Sequence, residues 1–499
     1  MKPFLTAIFS LILIACNTNE PKINSTIVKG ETGYYIDSIL TPYVQDLRKL
    51  TDNSAGLAIG ITKGEDIIYA RTFGFANIDQ GQKVDLNSRF HLASVSKPFS
   101  AVAIAKLVQE NKINLEDLLI EYIPEFKMKG EGYSKITIQH ILTHTSGIPR
   151  NIKIDDWLDP SYGNNALDEN IEIVKNLQLD FEPGTKFSYS NSAFDILGIV
   201  ISRVSGMPFH EYLDEAIFKP AGMMNTSLKK PKDVLPSDWA NAHSHGLETQ
   251  TLSPFPYNER IFPSSGIVSS LLDMCRWGQL HVNQGTIDGN SVIDKKHFKM
   301  IVSPKYETPW GDNIGLSWFL QTYLDRPIIM HTGSDTGFEA MSYIFPQDEV
   351  SIVVLANRDF SRAGRIVNAA SEAVFGEPLK EYKLSSKYKF TEVYKKYGIE
   401  KAKEQWNMLK KDTMDIYFTD DQDILSTGAL INDQKLLESK EILEFYNTLN
   451  EKSTYSWRLL GNANLSLGDT ITAIACYQRC LEINPKYEKA RIALLRLNK

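Results

Sequence analysis

The chain has 499 residues, 42% of them hydrophobic and 23% charged, with a formal net charge of −7. That composition excludes a disordered polypeptide and leaves room for one large domain and a smaller one. The acidic balance, with no basic cluster, excludes nucleic acid as a partner and points to a small-molecule or peptide substrate.

Residues 1–16 read as a signal peptide. Lys2 supplies the charged start, and Phe4 to Ala15 forms an apolar core shorter than the ~20 residues that span a bilayer. Leu13-Ile14-Ala15-Cys16 closes it and resembles the lipobox of bacterial lipoproteins, which implies lipidation of Cys16. The expected location is the cell envelope, periplasmic or surface-facing, with a lipid anchor in the membrane. Residues 17–33 are polar and aperiodic and read as a tether, so the fold is expected to begin near Tyr34.

A helix over residues 34–50 is followed by two apolar runs, Gly56 to Thr62 and Asp66 to Gly74, about a Lys63-Gly64-Glu65 turn; this predicts a hairpin. Next comes Phe90-His91-Leu92-Ala93-Ser94-Val95-Ser96-Lys97-Pro98-Phe99, heading a helix too densely apolar for a surface. Ser94 is placed in its first turn. Residues three apart share a helical face, so the Lys97 amine can reach the Ser94 hydroxyl, while the free N–H groups of the helix start lie where an oxyanion would form. Two other Ser-x-x-Lys spacings, Ser227 to Lys230 and Ser386 to Lys389, lie in polar or charged stretches and read as surface residues.

Further strands are expected at Ile328 to Thr332, Ala340 to Phe345 and Val350 to Ala356, with a closing helix from Gly364 to Phe375. Strands at both ends of a helical middle predict an α/β fold of the α+β type: one antiparallel sheet flanked by helices, with a helical region inserted. This domain is assigned to residues 34–380. Residues 381–499 read as an all-helical segment. Within it Trp457, Leu460, Gly461, Ala473, Tyr477 and Pro485 fall on the tetratricopeptide pattern, and Leu425 to Asn450 is a degenerate copy. Residues 420–499 are thereby a candidate surface for a protein partner. Cys275, Cys476 and Cys480 read as core residues, not disulfides or metal ligands; neither a metal nor a cofactor is expected.

A nucleophilic serine needs a second proton carrier and a second oxyanion donor. Tyr189-Ser190-Asn191 precedes an apolar helix and offers a phenol and an amide; Tyr162-Gly163-Asn164 has the same spacing but lies in a run of turn residues. His331-Thr332-Gly333 ends an apolar strand, read as an edge strand whose glycine lets a substrate backbone approach, with the N–H of Ser334 as second oxyanion donor. His144, in a tight loop, reads as structural.

Taken in order, Ser94-x-x-Lys97, Tyr189-x-Asn191 and His331-Thr332-Gly333 resemble the penicillin-recognising serine hydrolases: class C β-lactamases, D,D-carboxypeptidases, D-aminopeptidases and related esterases. Residues 136–149 and 264–270 read like the same family. The resemblance implies that Ser94 attacks a carbonyl, that Lys97 and Tyr189 share its proton, and that Asn191, His331, Thr332, Gly333 and Ser334 bind the substrate and its oxyanion. It implies hydrolysis of D-amino-acid peptides, amides or esters through an acyl-enzyme. A weak β-lactamase or carboxylesterase, or a non-catalytic receptor using the helical tail, are the alternatives. Histidine where the family signature has lysine puts β-lactam turnover in doubt.

Overall fold

The computed structural model describes residues 23–51, 53–151, 160–163, 165–229, 235–252, 255, 257–411 and 417–497. The signal peptide with Cys16 and the first part of the tether lie outside the described residues. Among the described residues nine strands form the main sheet: β1 (Ile23–Val28), β2 (Leu57–Lys63), β3 (Asp66–Phe73), β4 (Tyr306–Glu307), β5 (Asn313–Ile314), β6 (Phe319–Tyr323), β7 (Arg326–Asp335), β8 (Phe338–Phe345) and β9 (Val350–Ala356). Their order is β1-β3-β2-β9-β8-β7-β6-β5-β4, antiparallel throughout.

Strand β1 and the start of a helix at Gly30 occupy residues 23–33, which corrects the tether there. An edge strand pairs on one side only and tolerates polar residues, here the half-buried Asn24 and Ser25 and the exposed Thr26, so its sequence carries little apolar signal. Across the middle of the sheet, β2 and β9 join the two ends of the domain, with Gly60 opposite Val353. Every residue of β9 is buried. Its Ile352 and Val354 face one core and Val353 and Leu355 the other, as the two-residue period of a strand covered on both faces requires. Each such side chain contributes roughly 1.5–3 kcal/mol by leaving water.

Helices α1 (Gly30–Leu50), α2 (Lys97–Gln109), α3 (Asn191–Ser205), α4 (Leu271–Val282) and α5 (Ala363–Val374) cover the sheet. From α1 and α5, Ile36, Leu40, Val44, Ile366 and Val367 pack against one face; α2, α3 and α4 build the core on the other. Cys275 on α4 lies where a Cβ on Gly60 would come within 2.6 Å of its Sγ, so both residues serve close helix–sheet packing.

The tail carries α6 (Ser386–Tyr397), α7 (Ile399–Leu409), α8 (Asp421–Leu430), α9 (Leu436–Leu449), α10 (Thr454–Ser466), α11 (Thr470–Ile483) and α12 (Glu488–Leu497). It departs from all-helical in one two-residue parallel pairing, Leu384–Ser385 with Tyr417–Phe418. Gly461 on α10 is pressed against the ring of Tyr477 on α11, which a Cβ would meet at 2.6 Å. The surface reading of Ser386 is corrected: it is fully buried and its hydroxyl bonds that of Thr419 at 2.8 Å. Ser227 is half-buried, in an isolated antiparallel bridge with Val268, and Lys230 lies outside the described residues.

Candidate active site

Ser94 sits on a single 3-10 turn, Ala93–Ser96, that runs into α2, rather than within the α-helix itself. Ala93 before it holds φ 48°, a left-handed conformation that costs a residue with a Cβ about 1–2 kcal/mol and turns the serine out of line with the helix. Pro98, near the helix start, lacks only a donor that the first turn leaves unused. Ser96 accepts from the Ile267 N–H at 3.0 Å and Ser100 donates to the Pro263 carbonyl at 2.9 Å. These bonds give the stretch around Ser264 its place beneath the nucleophile turn.

Lys97, the first residue of α2, is fully buried. Its Nζ donates to Ser94 Oγ at 3.0 Å and to the Ser264 carbonyl at 2.9 Å. Burial lowers this amine to about 7, opposed by the carboxylates of Asp195 and Asp335 and assisted by Arg150. Near neutrality a large fraction of Lys97 is therefore an unprotonated base in contact with the hydroxyl it must activate.

Tyr189 hydrogen-bonds Ser94, and Lys97 Nζ lies 4.9 Å from its ring centre. Burial raises its hydroxyl well above the ordinary phenol range, although Ser94 and Arg150 pull the other way. Tyr189 thus holds its proton at neutral pH, whereas Lys97 is poised to accept one. The loop over residues 144–151 supports this segment. Ser188 N donates to the His144 carbonyl at 2.9 Å, Ser190 N to His144 Nδ1 at 3.2 Å, and Asn191 N to the Arg150 carbonyl at 3.0 Å. His144 stacks on Tyr189 with ring centres 4.2 Å apart. Its Nδ1 accepts, so its proton is on Nε2, and burial drives it far below the usual histidine range. It positions Tyr189 and is not a base.

Asn191 opens α3, after the N-cap Ser190, and donates from Nδ2 to Asn151 Oδ1 at 2.8 Å; its own Oδ1 is buried without a partner. Tyr162 is far out in solvent, stacked on Tyr257, and its Asn164 is outside the described residues.

β7 is not an edge strand over its whole length. β6 pairs with its first half, ending at Phe319 opposite Met330, and leaves the stretch from His331 to Asp335 with a free edge. His331 and Gly333 alternate inward, Thr332 and Ser334 outward into solvent. A Cβ on Gly333 would lie 2.2 Å from the Leu92 carbonyl and 3.1 Å from the Ser94 nitrogen, so only glycine lets this strand meet the nucleophile turn. His331 Nδ1 donates to the Thr332 carbonyl at 2.8 Å, and burial with the neighbouring Lys97 lowers the ring to about 3. It is neutral and cannot stand in for a lysine as an anion holder.

Ser94, Lys97, Tyr189, Asn191, His331 and Gly333 thus converge, and Thr332 and Ser334 offer the site backbone and solvent-facing side chains. The beta-lactamase family model matches residues 36–376. The chain belongs to that family. A tetratricopeptide repeat model matches residues 454–487. Among curated relatives of this family member, protein flp of Staphylococcus aureus (strain N315) is 28% identical over 343 residues, 68% of this chain and 66% of flp. Penicillin-binding protein 4* of Bacillus subtilis (strain 168) is 27% identical over 339 residues, 63% of this chain and 71% of that protein. The chain spans just under two thirds of the length of flp. Of solved structures, the octameric penicillin-binding protein homologue from Pyrococcus abyssi superposes with a TM-score of 0.61 at 24% identity, over 72% of this chain and 81% of that one. The penicillin binding protein from Bacillus halodurans gives 0.56 at 26%, over 67% and 99%.

Three contributors carry no signal in the sequence. Arg150 places its guanidinium 5.1 Å from the Tyr189 ring centre. Asp195 projects its charge on Lys97 from within α3. His91 Nε2 meets Asp335 Oδ2 at 3.1 Å, tying the strand before the nucleophile to the end of β7. Asp195 stands four residues after Asn191 and so shares its helix face, the only periodicity that could have singled it out.

Proposed function

We propose that this family member is a serine hydrolase that cleaves D-amino-acid-containing peptides, amides or esters through an acyl-enzyme on Ser94. The contact that carries the reading is Lys97 Nζ at 3.0 Å from Ser94 Oγ, with the amine lowered to about 7. Lys97 takes the Ser94 proton as Oγ bonds to the substrate carbonyl carbon. The N–H groups of Ser94 and Ser334 receive the oxyanion, and Asn191 orients the substrate amide or ester. Tyr189 passes a proton to the leaving nitrogen or oxygen as its bond to carbon breaks. Water then adds to the acyl carbon, gives up a proton along the same pair, and restores the Ser94 hydroxyl. The neutral His331 favours substrates without an anionic group at that position, hence esters and amides over β-lactams. A lipid on Cys16 would hold the protein at the cell envelope, with the tail free to meet a protein partner.

Intact mass spectrometry of wild type and Ser94→Ala after brief exposure to a fluorescent penicillin and, separately, to a p-nitrophenyl ester tests this. An adduct on wild type alone is expected with the ester. No adduct from either reagent on folded protein would overturn the catalytic reading in favour of a receptor.

A further inference from the structure

Arg150 stands beside the nucleophile with its side-chain donors unspent. Its carbonyl is pinned to the start of α3, accepting from Asn191 N at 3.0 Å, Ser192 N at 3.3 Å and Ser192 Oγ at 3.3 Å. The first turn of a helix leaves such N–H groups without partners, so the loop and α3 hold one another. From this fixed backbone the half-buried side chain lies over Tyr189, its guanidinium carbon 5.1 Å from the ring centre. Tyr189 hydrogen-bonds Ser94, so the width of one phenol separates the guanidinium from the nucleophile. Its charge reaches into the site, where it acts on Lys97, Tyr189 and His144.

Among the described residues Arg150 has neither an ion pair nor a side-chain hydrogen bond, and none of its nitrogens is sealed from water. Arg71 and Arg365, also partly buried, are each tied to a carboxylate, Asp37 and Glu372. A guanidinium stays charged at every relevant pH and presents five donors in a planar fork that fits a carboxylate. The other groups around the nucleophile offer an anion nothing comparable. His144 and His331 are neutral, and the buried Lys97 amine is already engaged by Ser94 and the Ser264 carbonyl. Asp335, at the end of the free edge of β7, adds a negative charge there.

Resting on the hydrolase reading above, we propose that Arg150 is a specificity-determining residue that takes a carboxylate borne by the acyl or the leaving part of the substrate. The anion is thus read from the α3 side of the site and not at His331. The contact is a two-pronged, charge-assisted bond in a partly desolvated place, where it is stronger than the same pair in open water.

The experiment uses the full chain and two pairs of phenyl esters, each pair matched but for one carboxylate. Phenyl hexanoate against monophenyl adipate puts the charge on the acyl part; phenyl acetate against 3-acetoxybenzoate puts it on the leaving part. The readout is the ratio of kcat/KM, anionic over neutral, within each pair, corrected for uncatalysed hydrolysis and measured at about pH 8.5, where Lys97 is largely unprotonated. At least one ratio is expected to be about fivefold or more, expressed mainly in KM, and to fall to near one in Arg150→Gln. Arg150→Lys should keep part of it, since an ammonium retains the charge but not the fork. The pair that shows the ratio tells which part of the substrate carries the carboxylate. Loss of the guanidinium also raises the Lys97 amine, but this acts alike on both esters of a pair and drops out of the ratio. Wild-type ratios near one in both pairs, or a ratio that survives in Arg150→Gln, would overturn the assignment. Ser94→Ala separates the two readings: turnover that depends on Ser94 but shows neither ratio sinks the role of Arg150 alone, while absence of any Ser94-dependent turnover sinks the hydrolase itself.

Discussion

At the residue scale, the proposed chemistry rests on Lys97, whose amine burial lowers to about 7. If Lys97 accepts the serine proton as proposed, acylation of a p-nitrophenyl ester should rise with pH and reach half its plateau near pH 7, because the fraction unprotonated grows as pH climbs through that value. Lys97→Ala should lose about 10³-fold at the plateau, measured by stopped-flow release of p-nitrophenol. His331 adds no limb between pH 5 and 9, since its ring stays neutral throughout. Gly333 acts by what it lacks. In Gly333→Ala the new methyl would meet the Leu92 carbonyl at 2.2 Å, backbone against backbone, so β7 must withdraw from the nucleophile turn. A loss of 1–3 kcal/mol by denaturant unfolding, together with acylation at least about tenfold slower, is the expected result; an unchanged rate would mean that β7 does not help to hold the oxyanion.

At the element scale, the site is the meeting of a turn, a strand end and a helix start that come from three distant parts of the chain. The bond between His91 and Asp335 joins the first two, and Asp335 also acts on Lys97 through its charge. Asp335→Asn keeps an acceptor for His91 but removes the charge that raises Lys97. Its pH profile should move to lower pH while kcat at the plateau stays within about threefold of wild type. Asp335→Ala loses the bond as well, and its kcat should fall about tenfold with KM little changed. Both variants should shift the pH profile alike; a profile unmoved in both, with equal kcat and only melting temperature altered, would reduce the pair to a structural bond. The hairpin of β2 and β3 and the closing strands β8 and β9 were readable as apolar runs about turns. β1 was not: a polar edge strand looks like a tether until the partner β3 is in place.

For the whole molecule, a seam with the tail covers part of the beta-lactamase-family domain. Leu247 shares a core with Phe390, Trp406 and Ile431, Gly246 leaves room for Ile431, Gln250 Nε2 donates to the Leu430 carbonyl at 3.2 Å, and the buried Arg358 donates to the Tyr388 hydroxyl at 3.1 Å. Deleting residues 381–499 uncovers that seam without removing a site residue. Differential scanning calorimetry should show the shortened chain melting about 5 °C or more below the full one, while Ser94-dependent ester turnover at 25 °C persists. Unaltered melting would mean that the seam contributes nothing to the domain and that the tail is an independent module.

The order of motifs, the apolar strand runs about their turns and the repeat pattern in the tail are properties of short stretches, and periodicity or spacing suffices to read them: Ser94 and Lys97 are three residues apart in the chain itself, and Gly461 and Tyr477 fall at their repeat positions in any array. What the sequence could not decide is which charges and rings come to surround them. The basicity of Lys97 depends on its burial and on Asp195, Arg150 and Asp335, residues 53 to 238 positions away, and the neutrality of His331 depends on its burial and on the charge of Lys97 nearby. Electrostatic interaction and desolvation follow distance in space, not in sequence, so the tertiary structure alone turns three legible motifs into one site.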